Sequence, residues 1–164
     1  MKSSKKMISV VTPCFNEEGN VERCYSELKK VFEKSLPKYN YEHIFCDNGS
    51  KDNTVAKLKF IAAKDKNVKI IVHSRNFGAY NSMYNGTMSA TGDAIVPAFA
   101  ADCQDPAKII PKFVKNWEDG SDVVFGRKIS RDESILMQHI RRFYYKLVRR
   151  FASIDIPENV GEFS

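Results

Sequence analysis

The sequence predicts an α/β fold, an open and mostly parallel sheet with helices on both faces. Two observations carry this. Strand-sized apolar runs alternate with stretches whose apolar residues recur at helical spacing, and turns dense in Pro, Gly, Asn and Asp divide them. Strands separated by helices cannot close into hairpins, so they pair in parallel.

The elements follow in order. Residues 7–12 are a β-branched run ended by Pro13, the pattern of a buried strand. Asn16-Glu17-Glu18 opens a helix with Val21, Tyr25, Leu28 and Phe32 at helical spacing, and Pro37 ends the segment. Residues 41–46 form a second strand. Asp47-Asn48-Gly49-Ser50-Lys51-Asp52-Asn53-Thr54 is a string of turn and cap residues, followed by a helix with Val55, Leu58, Ile61 and Ala62 on one face. Val68–Val72 is a third strand. Asn76-Phe77-Gly78 begins a less regular helix reaching about residue 90, and Thr91-Gly92-Asp93 turns the chain into a fourth strand, 94–99. Residues 106–117 are helical with an interruption near Pro111, and 122–125 form a fifth strand. From 134 to 151, Leu136, Ile140, Phe143, Leu147 and Phe151 form an apolar stripe. Arg141, Arg142, Lys146, Arg149 and Arg150 fill much of the rest, giving a basic amphipathic helix.

Length and composition set the bounds. The 164 residues fit one domain, 1–164, with a real core. No apolar run approaches the roughly 18 residues of a membrane span. Met1-Lys2-Ser3-Ser4-Lys5-Lys6 is basic, but no apolar core or cleavage site follows, so a signal peptide is not expected and the location is cytoplasmic. Cys14, Cys24, Cys46 and Cys103 lack Cys-x-x-Cys spacing, which points to reduced thiols ahead of a zinc site. Net charge is +6, and residues 127–150 hold eight Lys or Arg against two Asp or Glu, so the excess is local. A local excess implies one anionic partner surface. A core-packing helix with a solvated cationic face and contact with anionic lipid headgroups both satisfy it, and no nucleic acid is expected because no binding motif accompanies the charge.

In an open parallel sheet ligands bind beyond the carboxyl ends of the strands, where strand order reverses. The loops leaving those ends are 13–18, 47–52, 74–78 and 100–105. All are polar and three carry carboxylates. In the last loop Asp102 and Gln104 stand two residues apart, so in an extended loop both side chains point one way. That oxygen pair suits a hard divalent cation, magnesium or manganese. Asp105-Pro106 reads as an N-cap and a first helical proline. There is no Gly-x-Gly-x-x-Gly after the first strand and no P-loop string, so dinucleotide and P-loop chemistry lose support.

Five strings taken together resemble the family 2 glycosyltransferases. They are Ser9-Val10-Val11-Thr12-Pro13-Cys14-Phe15-Asn16-Glu17-Glu18, Phe45-Cys46-Asp47-Asn48-Gly49-Ser50-Lys51-Asp52-Asn53-Thr54, Arg75-Asn76-Phe77-Gly78, Gly92-Asp93 and Asp102-Cys103-Gln104-Asp105-Pro106. Their order and spacing match from about residue 7 to the end. The Arg-Asn-Phe-Gly and Gln-Asp-Pro strings are most similar to the branch that transfers sugars to polyprenyl phosphates, such as dolichol-phosphate mannose synthase. The resemblance implies a GT-A, Rossmann-like fold and inverting, metal-assisted transfer from a UDP- or GDP-linked sugar. The acceptor would be a polyprenyl phosphate or, alternatively, a saccharide hydroxyl. It also implies work in cell wall or polysaccharide biosynthesis, at the inner face of a membrane.

By the same resemblance Pro13, Phe15, Glu17 and Asp47 hold the nucleotide, and Arg75 lies near the diphosphate or ribose. Asp102 with Gln104 holds the cation, and Asp102 and Glu162 are the catalytic carboxylates. Each has a plainer reading: Glu17 suits a helix N-terminus, Asp47 a turn, Arg75 a surface cation and Glu162 a solvated carboxylate. The chain departs from the family in three places. The Asp-x-Asp motif has Ala100 at its first position, as a natural variant, a degenerate relative or a substitution made to trap a complex. Glu162 stands where an aspartate is usual, and the chain stops where relatives continue, as a truncated form would. A non-enzymatic nucleotide-sugar-binding module and a membrane-surface adaptor are the rival readings.

Overall fold

A computed structural model describes residues 5–126. Among them, four strands form one parallel sheet: β1 (Met7–Cys14), β2 (Asn40–Asp47), β3 (Val68–Val72) and β4 (Ala94–Val96), in the order β3-β2-β1-β4. The helices are α1 (Val21–Ser35), α2 (Thr54–Lys64), α3 (Ala79–Met88) and α4 (Ile110–Glu118), the last preceded by a 3-10 turn, Ala107–Ile109. The chain moves from β1 outward to β2 and β3, then returns to place β4 on the other side of β1. Strand order therefore reverses at β1, and in such sheets ligands bind beyond the carboxyl ends at that point.

Helices cover both faces, as the apolar patterning requires. On one face Val21, Cys24, Leu28 and Phe32 of α1 pack with Leu58 and Ile61 of α2 and Ile110, Phe113 and Val114 of α4, over Ile8, Val10 and Phe45. Each fully buried Leu, Ile or Phe side chain contributes about 1.5–3 kcal/mol. On the other face α3 covers Val11, Ile44 and Cys46. It sits so close that a Cβ on Gly86 would fall 2.4 Å from Val11 Cγ1 and 2.5 Å from Cys46 Sγ. Inside the sheet, Thr12 Oγ1 lies 2.9 Å from Nε2 of the fully buried His43, whose pKa burial lowers to about 3.

Several expected boundaries move, for physical reasons. Asn16 does not open α1: its backbone is left-handed (φ 55°) and its side chain is spent on another loop, so the helix begins at Val21. Pro97, lacking an N–H, ends β4 at Val96. Pairing resumes at Phe99, whose N–H donates to Val11 O at 2.9 Å. Pro111 does not interrupt a helix but lies in the first turn of α4, where proline is tolerated. Pro106, in extended conformation, takes the cap position of the 3-10 turn that was expected for Asp105. The fifth strand, 122–125, is absent among the described residues. Val124 lines a cleft of about 350 Å3 beside β4 with Ile8, Ala94 and Trp117, but Val123 is 74% exposed and the segment makes no ladder.

The four cysteines are free thiols, and among the described residues no group of three or more His, Cys, Asp or Glu could hold a metal. No helix among the described residues is long and apolar enough to cross a membrane. The described residues through Val124 form one compact unit.

Candidate nucleotide site

The register aligns Cys14 with Asp47 and Asp47 with Val72, so the loops after β1, β2 and β3 leave the sheet side by side. Backbone bonds carry the alignment one step further: Asn48 N–H donates to Cys14 O and His73 N–H to Asp47 O, each at 2.9 Å. Asp47 itself is fully buried. Its Oδ2 accepts from the N–H groups of Gly49 and Ser50, both at 3.0 Å, while its buried Oδ1 has no hydrogen-bond partner. Gly49 makes this turn for two reasons: its φ is +76°, and a Cβ there would stand 3.1 Å from the Arg75 backbone.

The first and second loops interlock through polar side chains. Asn16 N–H donates to Ser50 Oγ at 2.8 Å, and Lys51 N–H donates back to Asn16 Oδ1 at 2.9 Å. Glu17 N–H donates to Thr54 Oγ1 at 2.8 Å, Glu18 N–H to Asp52 Oδ2 at 3.1 Å, and Asn53 N–H to Glu18 Oε2 at 2.8 Å. Desolvation pushes the Asp52 carboxyl up, but hydrogen bonds from Thr54 and Glu18 outweigh it and hold it below the usual range. Glu18 and Asp52 are thus engaged in fixing the loops. Glu17 accepts from Asn20 Nδ2 at 2.7 Å and is half-buried. Beneath them the Cys14 thiol is pushed well above its ordinary value, by burial first and then by Asp47, with Cys46, Glu17 and Asp52 adding to it. Pro13 is half-buried, and Phe15 is 42% exposed at the rim.

The third loop stands against the second. The Arg75 guanidinium is exposed and lies 4.8 Å above the Phe77 ring. Asn48 Nδ2 donates to Gly78 O at 3.3 Å, which ties the turn after β2 to the start of α3.

The acidic loop reaches the rim from the opposite side of β1. It is not extended. Cys103 N–H donates to Ala100 O at 3.1 Å, closing a turn, and Cys103 is left-handed with φ 59°. Asp102 Oδ1 accepts from the Gln104 N–H at 3.1 Å, so the two residues meet by turn closure rather than by strand alternation. Asp102 is half-buried and Gln104 exposed, and both carry an oxygen that suits a hard cation.

Sequence reasoning placed Pro13, Phe15, Glu17, Asp47, Arg75, Asp102 and Gln104 on these loops, and the sheet brings all of them to one rim. It missed the polar lock made by Asn16, Glu18, Ser50, Asp52 and Thr54. Only the density of cap residues in 47–54 hinted at it. Glu162, and Arg141, Arg142, Lys146, Arg149 and Arg150 of the basic stretch, lie outside the described residues.

Comparison with known proteins fits this geometry. Similar folds include a mannosyltransferase from Pyrobaculum calidifontis solved with GDP-Man and Mn2+, at 19% identity and a TM-score of 0.59, covering 85% of this chain and 39% of that one. Another is glucosyl-3-phosphoglycerate synthase from Mycobacterium tuberculosis, solved with Mn2+, UDP and phosphoglyceric acid, at 18% identity and a TM-score of 0.60, covering 88% and 49%. These likenesses establish the GT-A fold. Among curated proteins, a prophage bactoprenol glucosyl transferase homolog of Escherichia coli (strain K12) is 36% identical over 95% of this chain and 50% of its own length. An uncharacterized glycosyltransferase of Synechocystis sp. is 36% identical over 95% and 48%. The chain spans about half the length of the curated relatives it matches. The model of Glycosyl transferase family 2 matches residues 9–164, nearly the whole sequence, and the chain belongs to that family.

Proposed function

We propose that this chain binds the nucleotide-sugar donor of an inverting glycosyl transfer whose acceptor is a polyprenyl phosphate. The observation that carries the reading is the buried, unpartnered Oδ1 of Asp47. Leaving such an atom without a donor costs about 1–3 kcal/mol, and a base N–H or a ribose hydroxyl would remove that cost. Phe15 and Pro13 frame the base, and Glu17 adds a second carboxylate beside it. Arg75 offers its exposed guanidinium to diphosphate oxygens, where bidentate pairing is strongest.

The donor set at the acidic loop fits a divalent cation shared with a substrate. Magnesium and manganese sites of this kind use one or two carboxylates and complete their shell with phosphate oxygens and water. Asp102 and Gln104 would hold the ion, which when bound neutralises charge on the leaving diphosphate. Ala100 removes one carboxylate from that set and weakens the ion's hold.

In the reaction an acceptor oxygen attacks the anomeric carbon from the face opposite the diphosphate, and the bond from that carbon to the diphosphate oxygen breaks. A phosphate acceptor, with a second pKa of about 6, is already largely ionised at neutral pH and needs little help from a base. Glu162 then orients the acceptor. The basic stretch, through Arg141, Arg142, Lys146, Arg149 and Arg150, supplies the cationic charge for anionic headgroups such as those beside a lipid-linked acceptor. The similarity to a protein named for bactoprenol glucosyl transfer supports the acceptor class, and the fold shared with proteins solved with GDP-Man or UDP supports the donor class.

The test is release of nucleoside diphosphate from UDP- and GDP-linked sugars with manganese, beside calorimetry of UDP and GDP, for this chain and its Ala100→Asp variant. Manganese-dependent binding and turnover are expected, with manganese affinity about tenfold higher in the variant, since a second carboxylate joins the site. Nucleotide binding without turnover in either protein would establish a degenerate binding module instead, the reading that Ala100 favours. No nucleotide binding would overturn both.

A further inference from the structure

One side chain outside the family strings ties three parts of the rim together. His73 follows β3, and its ring meets partners on every side. Nδ1 lies 3.1 Å from Asn48 Oδ1 in the second loop, and Nε2 lies 2.9 Å from Asn85 Nδ2 on α3. The ring edge meets the Phe77 ring at a centroid distance of 5.8 Å and an angle of 82°. The tautomer follows from the neighbours. Asn48 uses Nδ2 to donate to Gly78 O, so its Oδ1 faces His73 and Nδ1 must carry the proton; Nε2 then accepts from Asn85.

This arrangement ends at Arg75. Among the described residues no carboxylate lies within ion-pair distance of its guanidinium, and the contact that places it is the face of Phe77. A free arginine carries much rotamer entropy, and stacking on a fixed ring removes part of it before a ligand arrives. Phe77 in turn is exposed and is braced by the His73 ring.

We infer that His73 is a positioning residue: through Phe77 it sets where the Arg75 guanidinium stands, and so governs how tightly the diphosphate, rather than the nucleoside, is held. The inference rests on the nucleotide reading above and adds a residue to it. Neither the base nor the sugar enters the argument, because Asp47 and Glu17 hold their positions through other bonds.

Calorimetry with manganese on the full chain tests it, using UDP against uridine and GDP against guanosine, the nucleosides read by displacement. His73→Ala should weaken diphosphate binding about tenfold while nucleoside affinity changes less than about twofold. His73→Asn keeps an amide N–H for Asn48 but leaves no ring against Phe77 and should lose diphosphate affinity as His73→Ala does, whereas His73→Phe, which keeps a ring there, should recover most of the loss. In an Arg75→Ala background, His73→Ala should cost nothing further, as coupled residues behave in a double-mutant cycle. Equal losses for diphosphate and nucleoside, or additive losses with Arg75→Ala, overturn this role while leaving the nucleotide reading intact. Wild-type chain that binds neither UDP nor GDP overturns both.

Discussion

The two ends of the sheet use the same kind of residue for opposite purposes. At the amino end Glu42 is buried, and its Oε1 accepts from Ser9 Oγ at 2.6 Å, Thr91 N–H at 2.6 Å and Thr91 Oγ1 at 3.0 Å, while Oε2 pairs with Lys69. Ser9 Oγ also receives the Gly92 N–H at 2.9 Å, so one carboxylate closes β1, β2, β3 and the entry to β4. At the carboxyl end Asp47 is as deeply buried, yet one of its oxygens has no hydrogen-bond partner. A buried acid whose two oxygens are met by hydrogen bonds and a cation holds a fold together. One with an idle oxygen is free to accept from a ligand.

The largest expected effect breaks the first half of that contrast. Burial works to raise the Glu42 carboxyl, but bonds from Lys69, Ser9 and Thr91 outweigh it and hold it at about 2, below the model-peptide value of 4.5. A depressed carboxyl gives stability that is present above pH 4.5 and lost as pH falls through about 2. Glu42→Ala should therefore cost about 3 kcal/mol at neutral pH in urea unfolding and flatten the acid dependence over that window, with nucleotide affinity unchanged. A separate loss should begin below pH 6.5 in both proteins, because the unfolded chain takes up a proton that buried His43, held at about 3, refuses.

Next in size, Asp102→Ala should reduce turnover about a hundredfold, the scale of losing one charge-stabilising group. The unfolding midpoint should stay put, since the lost bond to the Gln104 N–H lies on an exposed turn. The smallest effect sharpens the second half. Asp47→Asn keeps an oxygen for the Gly49 and Ser50 N–H groups but puts an amide N–H where the unpartnered Oδ1 stood. Calorimetry should show nucleotide affinity down about tenfold with stability lowered by less than about 1.5 kcal/mol. A large stability loss with intact affinity would make Asp47 a second Glu42, and the contrast would vanish.

Much of the site was legible in sequence because the loops carry their chemistry in linear strings. Asp47, Glu17 and Asp102 could each be placed at a strand's carboxyl end once the strands were read. The amino-end lock was not legible. Ser9, Glu42, Lys69 and Thr91 are far apart in the chain, and Glu42 within a strand reads as a solvent-facing residue. His73 was equally silent, since its role depends on Asn48, Phe77 and Asn85 coming to it from three elements. The misplaced start of α1 and the absent strand at 122–125 have one cause. Asn16 and Val123 satisfy local patterns, and partners distant in sequence decide the outcome.

By itself the sequence determined the alternation of strands and helices, the faces they bury and the four polar loops, because period and turn chemistry are local properties. Only tertiary structure decided which buried polar atoms find partners. That depends on parallel strands bringing together residues dozens of positions apart, and it separates the acid that holds this sheet from the acid that waits at its rim.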